Sequence, residues 1–147
     1  GNLDSGTKFT TGTGFEPEAL NIDAEIERLR AKIDAGADYV MTQPVFDDAS
    51  MKTIAPFRNL VSVLPGVMVL KSKSHAQRIA QVPGVNLSQS VIDSLAKYPS
   101  GNDQLKAGID FAVRQAHEYR SQGWAGVYLM SPASLGAAKQ VLKSLAE

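Results

Sequence analysis

A chain of 147 residues that is 44% hydrophobic can bury one sizeable core, and with no cysteine anywhere it excludes disulfides, thiolate metal sites and cysteine nucleophiles. Lysine plus arginine and aspartate plus glutamate both number 15, so the formal net charge is zero; no broad basic surface invites nucleic acid or anionic lipid, and any anion site must be local. Neither a signal-peptide apolar region nor a stretch of membrane-spanning length is present, so a cytoplasmic protein with small-molecule ligands and no membrane partner is expected.

Residues 1–7 are polar, lack an initiator methionine and read as a tag or linker remnant, leaving 8–147 as one domain. A first strand is expected from Lys8 to Thr11, followed by Gly12-Thr13-Gly14-Phe15-Glu16-Pro17 as a glycine-rich turn stiffened by Pro17. Ile22, Ile26, Leu29 and Ile33 then recur at helical spacing, with Asn21 or Asp23 as N-cap and Gly36 placed to end the helix in the left-handed conformation. Tyr39 to Met41 form a short apolar strand of the kind a parallel sheet buries, and it finishes on the polar Thr42 and Gln43. Polar residues at the carboxyl end of such a strand are where α/β proteins place ligand contacts.

Asp47 or Asp48 can cap a short helix through Ile54, and Pro65-Gly66 introduces a third strand from Val67 to Leu70, with Lys71 at its end. Ser74 can open a helix through Ala80, Val82-Pro83-Gly84 turns the chain, and Ser88 to Lys97 reads as another short helix. After a break at Pro99 to Asn102, Ile109, Ala112, Val113, Ala116 and Tyr119 mark a longer amphipathic helix ending near Gly123. Gly126 to Met130 is a fourth strand, and Leu135, Ala138, Val141, Leu142 and Leu145 give a final helix. His117 sits inside the long helical pattern, as a packed or solvated residue rather than a ligand.

Strand and helix alternate four times, which requires a mostly parallel sheet. Such a sheet leaves two unpaired edges and one uncovered face. Two solutions are open: a small doubly wound α/β sandwich with some helices on the second face, or four βα units forming half of a (βα)8 barrel that is completed by a partner half.

Several blocks carry a resemblance: Gly14-Phe15-Glu16-Pro17, Leu29 to Asp38, Thr42-Gln43-Pro44-Val45-Phe46-Asp47, Pro65 to Met68, Val82 to Val85 and Gly126 to Leu129. Together they resemble the second half of the flavin-binding TIM-type barrel of the methylenetetrahydrofolate reductase family, and within it the bifunctional homocysteine methyltransferase/reductase branch. The stretch from Lys32 to Asp47 is the most specific, because helix end, strand and polar terminus match in register. The resemblance implies the half-barrel, FAD as cofactor, folate as substrate and NADH or NADPH as hydride donor.

By position, Gln43 resembles the glutamine that hydrogen-bonds the pterin ring, with Thr42 beside it; an amide offers a heterocycle edge both a donor and an acceptor. The same residue also reads as a strand-end glutamine satisfied by nearby backbone. Glu25, Arg28 and Lys32 fall on one helical stripe and resemble the face that holds the flavin's ribityl and pyrophosphate groups, while a solvated face with Glu25 screening Arg28 explains the same spacing. Departures from the family pattern are Ala31 where a further basic residue is common, the acidic Glu16 before Pro17, and Val69 in place of a proline. The first two weaken a phosphate site. Ser72, Lys71 and His75 are placed to line the mouth or to be solvated loop side chains.

The family's catalytic glutamate and the aspartate that tunes the flavin belong to the other barrel half, so no catalytic residue is assigned here. Two functions follow: part of a flavin-dependent reductase awaiting the missing half, or a self-associating half-barrel, a homodimer, that binds a ligand or is non-catalytic. A phosphate loop at Gly12-Thr13-Gly14 is weaker still, lacking the lysine-serine ending of a P-loop and the third glycine of a dinucleotide fingerprint.

Overall fold

The computed structural model describes residues 9–132 and 134–147. Its strands β1 (Gly12–Phe15), β2 (Tyr39–Pro44), β3 (Ser62–Met68) and β4 (Tyr128–Met130) pair in parallel in the unshuffled order β1-β2-β3-β4. A doubly wound sandwich reverses its order at a switch point. An unreversed order keeps every crossover on one face, as in half of a (βα)8 barrel.

The helices are α1 (Ile22–Asp34), α2 (Lys73–Ile79), α3 (Gln89–Ala96), α4 (Gly101–Ser121) and α5 (Leu135–Ala146). Along β2 burial alternates: Val40 and Thr42 are buried while Tyr39 and Met41 are partly exposed and Gln43 is exposed. Phe15, Val40, Val63 and Val67 point to the helix side, where they join Leu29, Ile109, Ala112, Tyr119 and Val141 in the main core. The opposite, concave side presents Tyr39, Met41, Leu64, Tyr128 and Met130, none of which belongs to that buried core. A second cluster of Phe46, Leu70, Ala76, Leu87, Ile92 and Leu95 seats α2 and α3 beside the carboxyl ends of β2 and β3.

α1 forms where its periodicity places it, with the Asn21 side chain accepting the Ala24 N–H at 3.1 Å and Gly36 at φ 102 just past its end. Other boundaries differ from expectation. The first strand is Gly12–Phe15, so the segment read as a turn is the strand. Lys8 and the remnant expected at residues 1–7 lie outside the described residues. The Gly12-Thr13-Gly14 segment pairs because β2 supplies the ladder, and because Tyr39 lays its ring so close to Gly12 that a Cβ there would meet it at 2.3 Å.

β3 starts at Ser62 and carries Pro65-Gly66 inside it, rather than beginning at Val67 and running to Leu70. Pro65 is tolerated because it alternates with Gly66, whose N–H and carbonyl face β2, so its nitrogen is turned to the β4 side, and β4 pairs only from Gly66 onward. Among the described residues no α-helix joins β2 to β3; two single 3-10 turns, Ala49–Met51 and Ala55–Phe57, bury Met51 and Phe57 instead of the expected short helix through Ile54. Asp47 rather than Asp48 does the capping there, its Oδ1 accepting the Ser50 N–H at 2.8 Å. α2 is capped by Ser72, whose Oγ accepts the His75 N–H at 3.1 Å, not by Ser74. α4 begins at Gly101, within the segment read as a break, because the Ser100 Oγ accepts the Asp103 N–H at 3.0 Å.

Candidate functional site

The carboxyl ends of the four strands and the concave face behind them form the candidate ligand mouth. Thr42 and Gln43, adjacent at the end of β2, have opposite fates. Thr42 is 2% exposed; its Oγ1 donates to the Gln43 carbonyl at 2.8 Å and accepts the Gly66 N–H at 2.8 Å. That hydroxyl stitches β2 to β3 where the ladder is irregular, and the site residue expected there is turned toward the sheet, away from the mouth. Gln43 is exposed within the register shift at the end of β2, and its amide takes part in no hydrogen bond among the described residues.

The loop after β2 is held firmly. Ser50 Oγ lies 2.7 Å from Glu18 Oε1 and 2.9 Å from Asp47 Oδ1, while Asn86 Nδ2 donates to Asp47 Oδ2 at 2.9 Å. These bonds tie together the loops after β1 and β2 and the turn between α2 and α3. From the helix side, Gln115 Nε2 donates to the Val45 carbonyl at 3.1 Å, so α4 also fixes the chain just beyond Gln43. Sequence reasoning missed this network, since its partners are up to 70 residues apart.

His75 is buried beside the end of β3, with Nδ1 accepting the Lys71 N–H at 3.1 Å, which corrects the picture of a solvated loop side chain. This bond fixes the tautomer with the proton on Nε2. Burial, and then the nearby Lys71 and Arg78 charges, lower its pKa from the ordinary value. Because the folded state disfavours the imidazolium, the unfolded chain binds the proton more readily. Stability is therefore full above the ordinary histidine pKa of about 6.5 and falls as pH drops through and below it. Urea midpoints measured from pH 7.5 to 5 are expected to decline for the wild type and to decline less for His75→Gln.

His117 is exposed on α4, as expected for a solvated residue. The described residues contain no cluster of three or more His, Asp or Glu side chains suited to a metal, and no helix long and apolar enough to cross a membrane.

The α1 stripe lies against β1. Glu25 is 5% exposed; its Oε1 accepts the Glu16 N–H at 3.0 Å, and its Oε2 pairs with the Arg28 guanidinium through Nε at 3.0 Å and through Nη2. Lys32 Nζ donates to the Gly14 carbonyl at 3.2 Å. The fold sets all three beside β1 but leaves Arg28 neutralised by Glu25 and Lys32 engaged with backbone, with the acidic Glu16 alongside. A flavin pyrophosphate carries two negative charges, and the two cations of the stripe are offset by the carboxylates of Glu25 and Glu16, which leaves no net positive charge to meet them. The fit to that group is poor.

Compared with known proteins, the chain matches the family model described as "Methylenetetrahydrofolate reductase" over residues 13–146. Among curated relatives, it is 27% identical over 135 residues to the Caenorhabditis elegans protein named "Probable methylenetetrahydrofolate reductase (NADPH)", covering 88% of this chain and 20% of that one. It is 23% identical over 147 residues to "Methylenetetrahydrofolate reductase 1" of Schizosaccharomyces pombe, covering 94% of this chain and 24% of that one. The chain thus spans a quarter or less of these relatives' length. A solved structure of a Clostridium thermocellum protein that binds two copies of 5-methyl-5,6,7,8-tetrahydrofolic acid shares the fold with a TM-score of 0.59 at 14% identity, covering 92% of this chain and 52% of that one.

Proposed function

The chain belongs to the methylenetetrahydrofolate reductase family, and from that premise we propose that it is the folate-orienting half of a reductase-type barrel, with Gln43 as the residue that reads the pterin edge. The observation that carries this reading is the exposed amide of Gln43 at the end of β2, unpartnered among the described residues and next to the Thr42 stitch. The pterin ring offers adjacent donors and acceptors, and one carboxamide can answer a pair of them. Support from outside the chain is the folate bound by the Clostridium thermocellum neighbour of the same fold.

The reductase reaction as a whole would use FAD and NADH or NADPH, the flavin supplying hydride transfer when bound. The Glu25, Arg28 and Lys32 stripe does not fit the flavin pyrophosphate as arranged, so no step is derived through that group. The concave-face side chains Tyr39, Met41, Leu64, Tyr128 and Met130 include no carboxylic acid to protonate a folate nitrogen. General acid assistance contributes about 10²–10⁴-fold in such reactions. The isolated chain is accordingly a binder, and reduction awaits groups supplied by the other half of the barrel.

Calorimetric titration of the chain with 5-methyltetrahydrofolate tests the reading. Gln43→Ala is expected to weaken binding about tenfold, the effect of losing hydrogen bonds worth roughly 1.4 kcal/mol. No binding by the parent chain, or equal affinity in the variant, overturns it.

A further inference from the structure

Gln115 departs from the pattern that the rest of α4 keeps. On the buried stripe of that helix Ile109, Ala112 and Tyr119 join the main core, whereas Gln115 places a carboxamide there at 8% exposure. Only half of that group is satisfied. Nε2 donates to the Val45 carbonyl at 3.1 Å, but Oε1 is sealed from solvent with no hydrogen-bond partner among the described residues. Turning the amide round would not help, because the Val45 carbonyl can only accept. An unpaired buried acceptor is destabilising, and an unbranched apolar side chain such as methionine would fill the same space without it. A core keeps such a group where the polar side chain does something that packing alone does not.

The amide holds the chain around Gln43. Ahead of that residue, the Thr42 hydroxyl donates to the Gln43 carbonyl and accepts the Gly66 N–H. Beyond it, the Val45 N–H donates to the Gly66 carbonyl at 3.0 Å. Gly66 can take both bonds because it has no Cβ, which would stand 2.6 Å from the Thr42 carbonyl oxygen and 2.9 Å from that of Gln43. Two ties to a single residue, across the register shift between Met41 and Pro44, leave the segment free to hinge about it. The third tie, from Gln115 to the Val45 carbonyl, comes from a different element and removes that freedom.

We infer that Gln115 is a positioning residue for Gln43: its buried amide locks the end of β2 to α4, so the exposed carboxamide two residues before Val45 meets a ligand with its backbone already fixed. The inference rests on the reading of Gln43 as the folate-facing residue, and adds to it a residue of α4 that need touch no ligand. Gln115→Met exchanges one unpaired buried acceptor, Oε1, for another, the carbonyl of the fully buried Val45, so stability changes little while the strand end loosens.

The test is calorimetric titration with 5-methyltetrahydrofolate of the chain, Gln115→Met, Gln43→Ala and the double variant, with melting temperature and Val45 amide exchange measured on each. Gln115→Met is expected to melt within about 2 °C of the parent, to bind about threefold more weakly and to exchange the Val45 amide about fivefold faster. In the Gln43→Ala background it is expected to cause no further loss of affinity. An affinity loss of the same size in both backgrounds, Val45 exchange as slow as in the parent, or a melting temperature lowered by more than about 5 °C would each overturn the inference. Gln115→Asn, which keeps the amide but falls one methylene short of Val45, should give the same affinity and exchange results and decides if Gln115→Met does not fold. If the parent does not bind folate, or Gln43→Ala binds it equally well, the ligand reading fails, and the Val45 exchange rate alone then decides the positioning.

Discussion

Gly108→Ala is expected to lower stability by about 3 kcal/mol, seen as a fall in Tm of about 10 °C. Helix propensity alone gives the opposite sign, since alanine is favoured over glycine inside a helix by about 1 kcal/mol. Tertiary contact decides. Gly108 is the point at which α4 crosses the end of β3, and a Cβ there would stand 1.8 Å from the Leu70 carbonyl oxygen and 2.9 Å from its carbon. Leu70 is fully buried in the second cluster, so the obstructing group is backbone that cannot swing aside. Either α4 lifts from the sheet or the segment leading to α2 shifts, and both disturb the mouth. Gly101→Ala is the control: at the start of the same helix its added methyl meets nothing within 4 Å, and the melting temperature is expected to stay level or rise slightly. Equal melting temperatures for Gly108→Ala and wild type would refute the close crossing.

Thr42→Val is expected to cost about 2 kcal/mol although it preserves shape, because it strands the buried Gly66 N–H that the hydroxyl accepts at 2.8 Å. Thr42→Ser keeps the oxygen and should retain most of that stability, losing only the packing of one methyl. Denaturant unfolding of the three proteins separates the stitching role from a direct ligand role. If Thr42 touched folate, affinity would fall at unchanged stability. With the hydroxyl serving the sheet, stability falls first, and folate affinity follows only as far as the β2 end loosens around Gln43. A Thr42→Val protein as stable as wild type would contradict this account.

Where local pattern and final contact agree, the sequence was sufficient. The Ile22, Ile26, Leu29 and Ile33 stripe, the Asn21 cap and Gly36 define α1 within one segment, and no distant partner is needed to form them. The same holds for the apolar start of β2 and for the alternation of strand and helix that leads to a parallel sheet. The family resemblance also lay in local blocks, above all Lys32 to Asp47, and it pointed to Gln43 before any geometry was available.

Pairing and burial between distant segments could not be read this way. Gly12-Thr13-Gly14 has the composition of a turn and became a strand because β2 offered it a ladder. Pro65-Gly66 has the composition of a strand boundary and lies inside β3 because the proline nitrogen is turned to the β4 side, where pairing begins only at Gly66. Thr42 and Gln43 are neighbours of similar polarity, and only the position of Gly66, 24 residues on, turns one into a stitch and leaves the other free. Glu25, Arg28 and Lys32 were legible as a stripe, yet their bonds to the Glu16 N–H, to one another and to the Gly14 carbonyl depend on how α1 seats against β1. The sequence by itself determined α1 and the parallel class, and by resemblance it nominated Gln43. The tertiary structure alone decided where strands begin and which polar groups are already satisfied, because hydrogen-bond satisfaction belongs to pairs of segments rather than to either one.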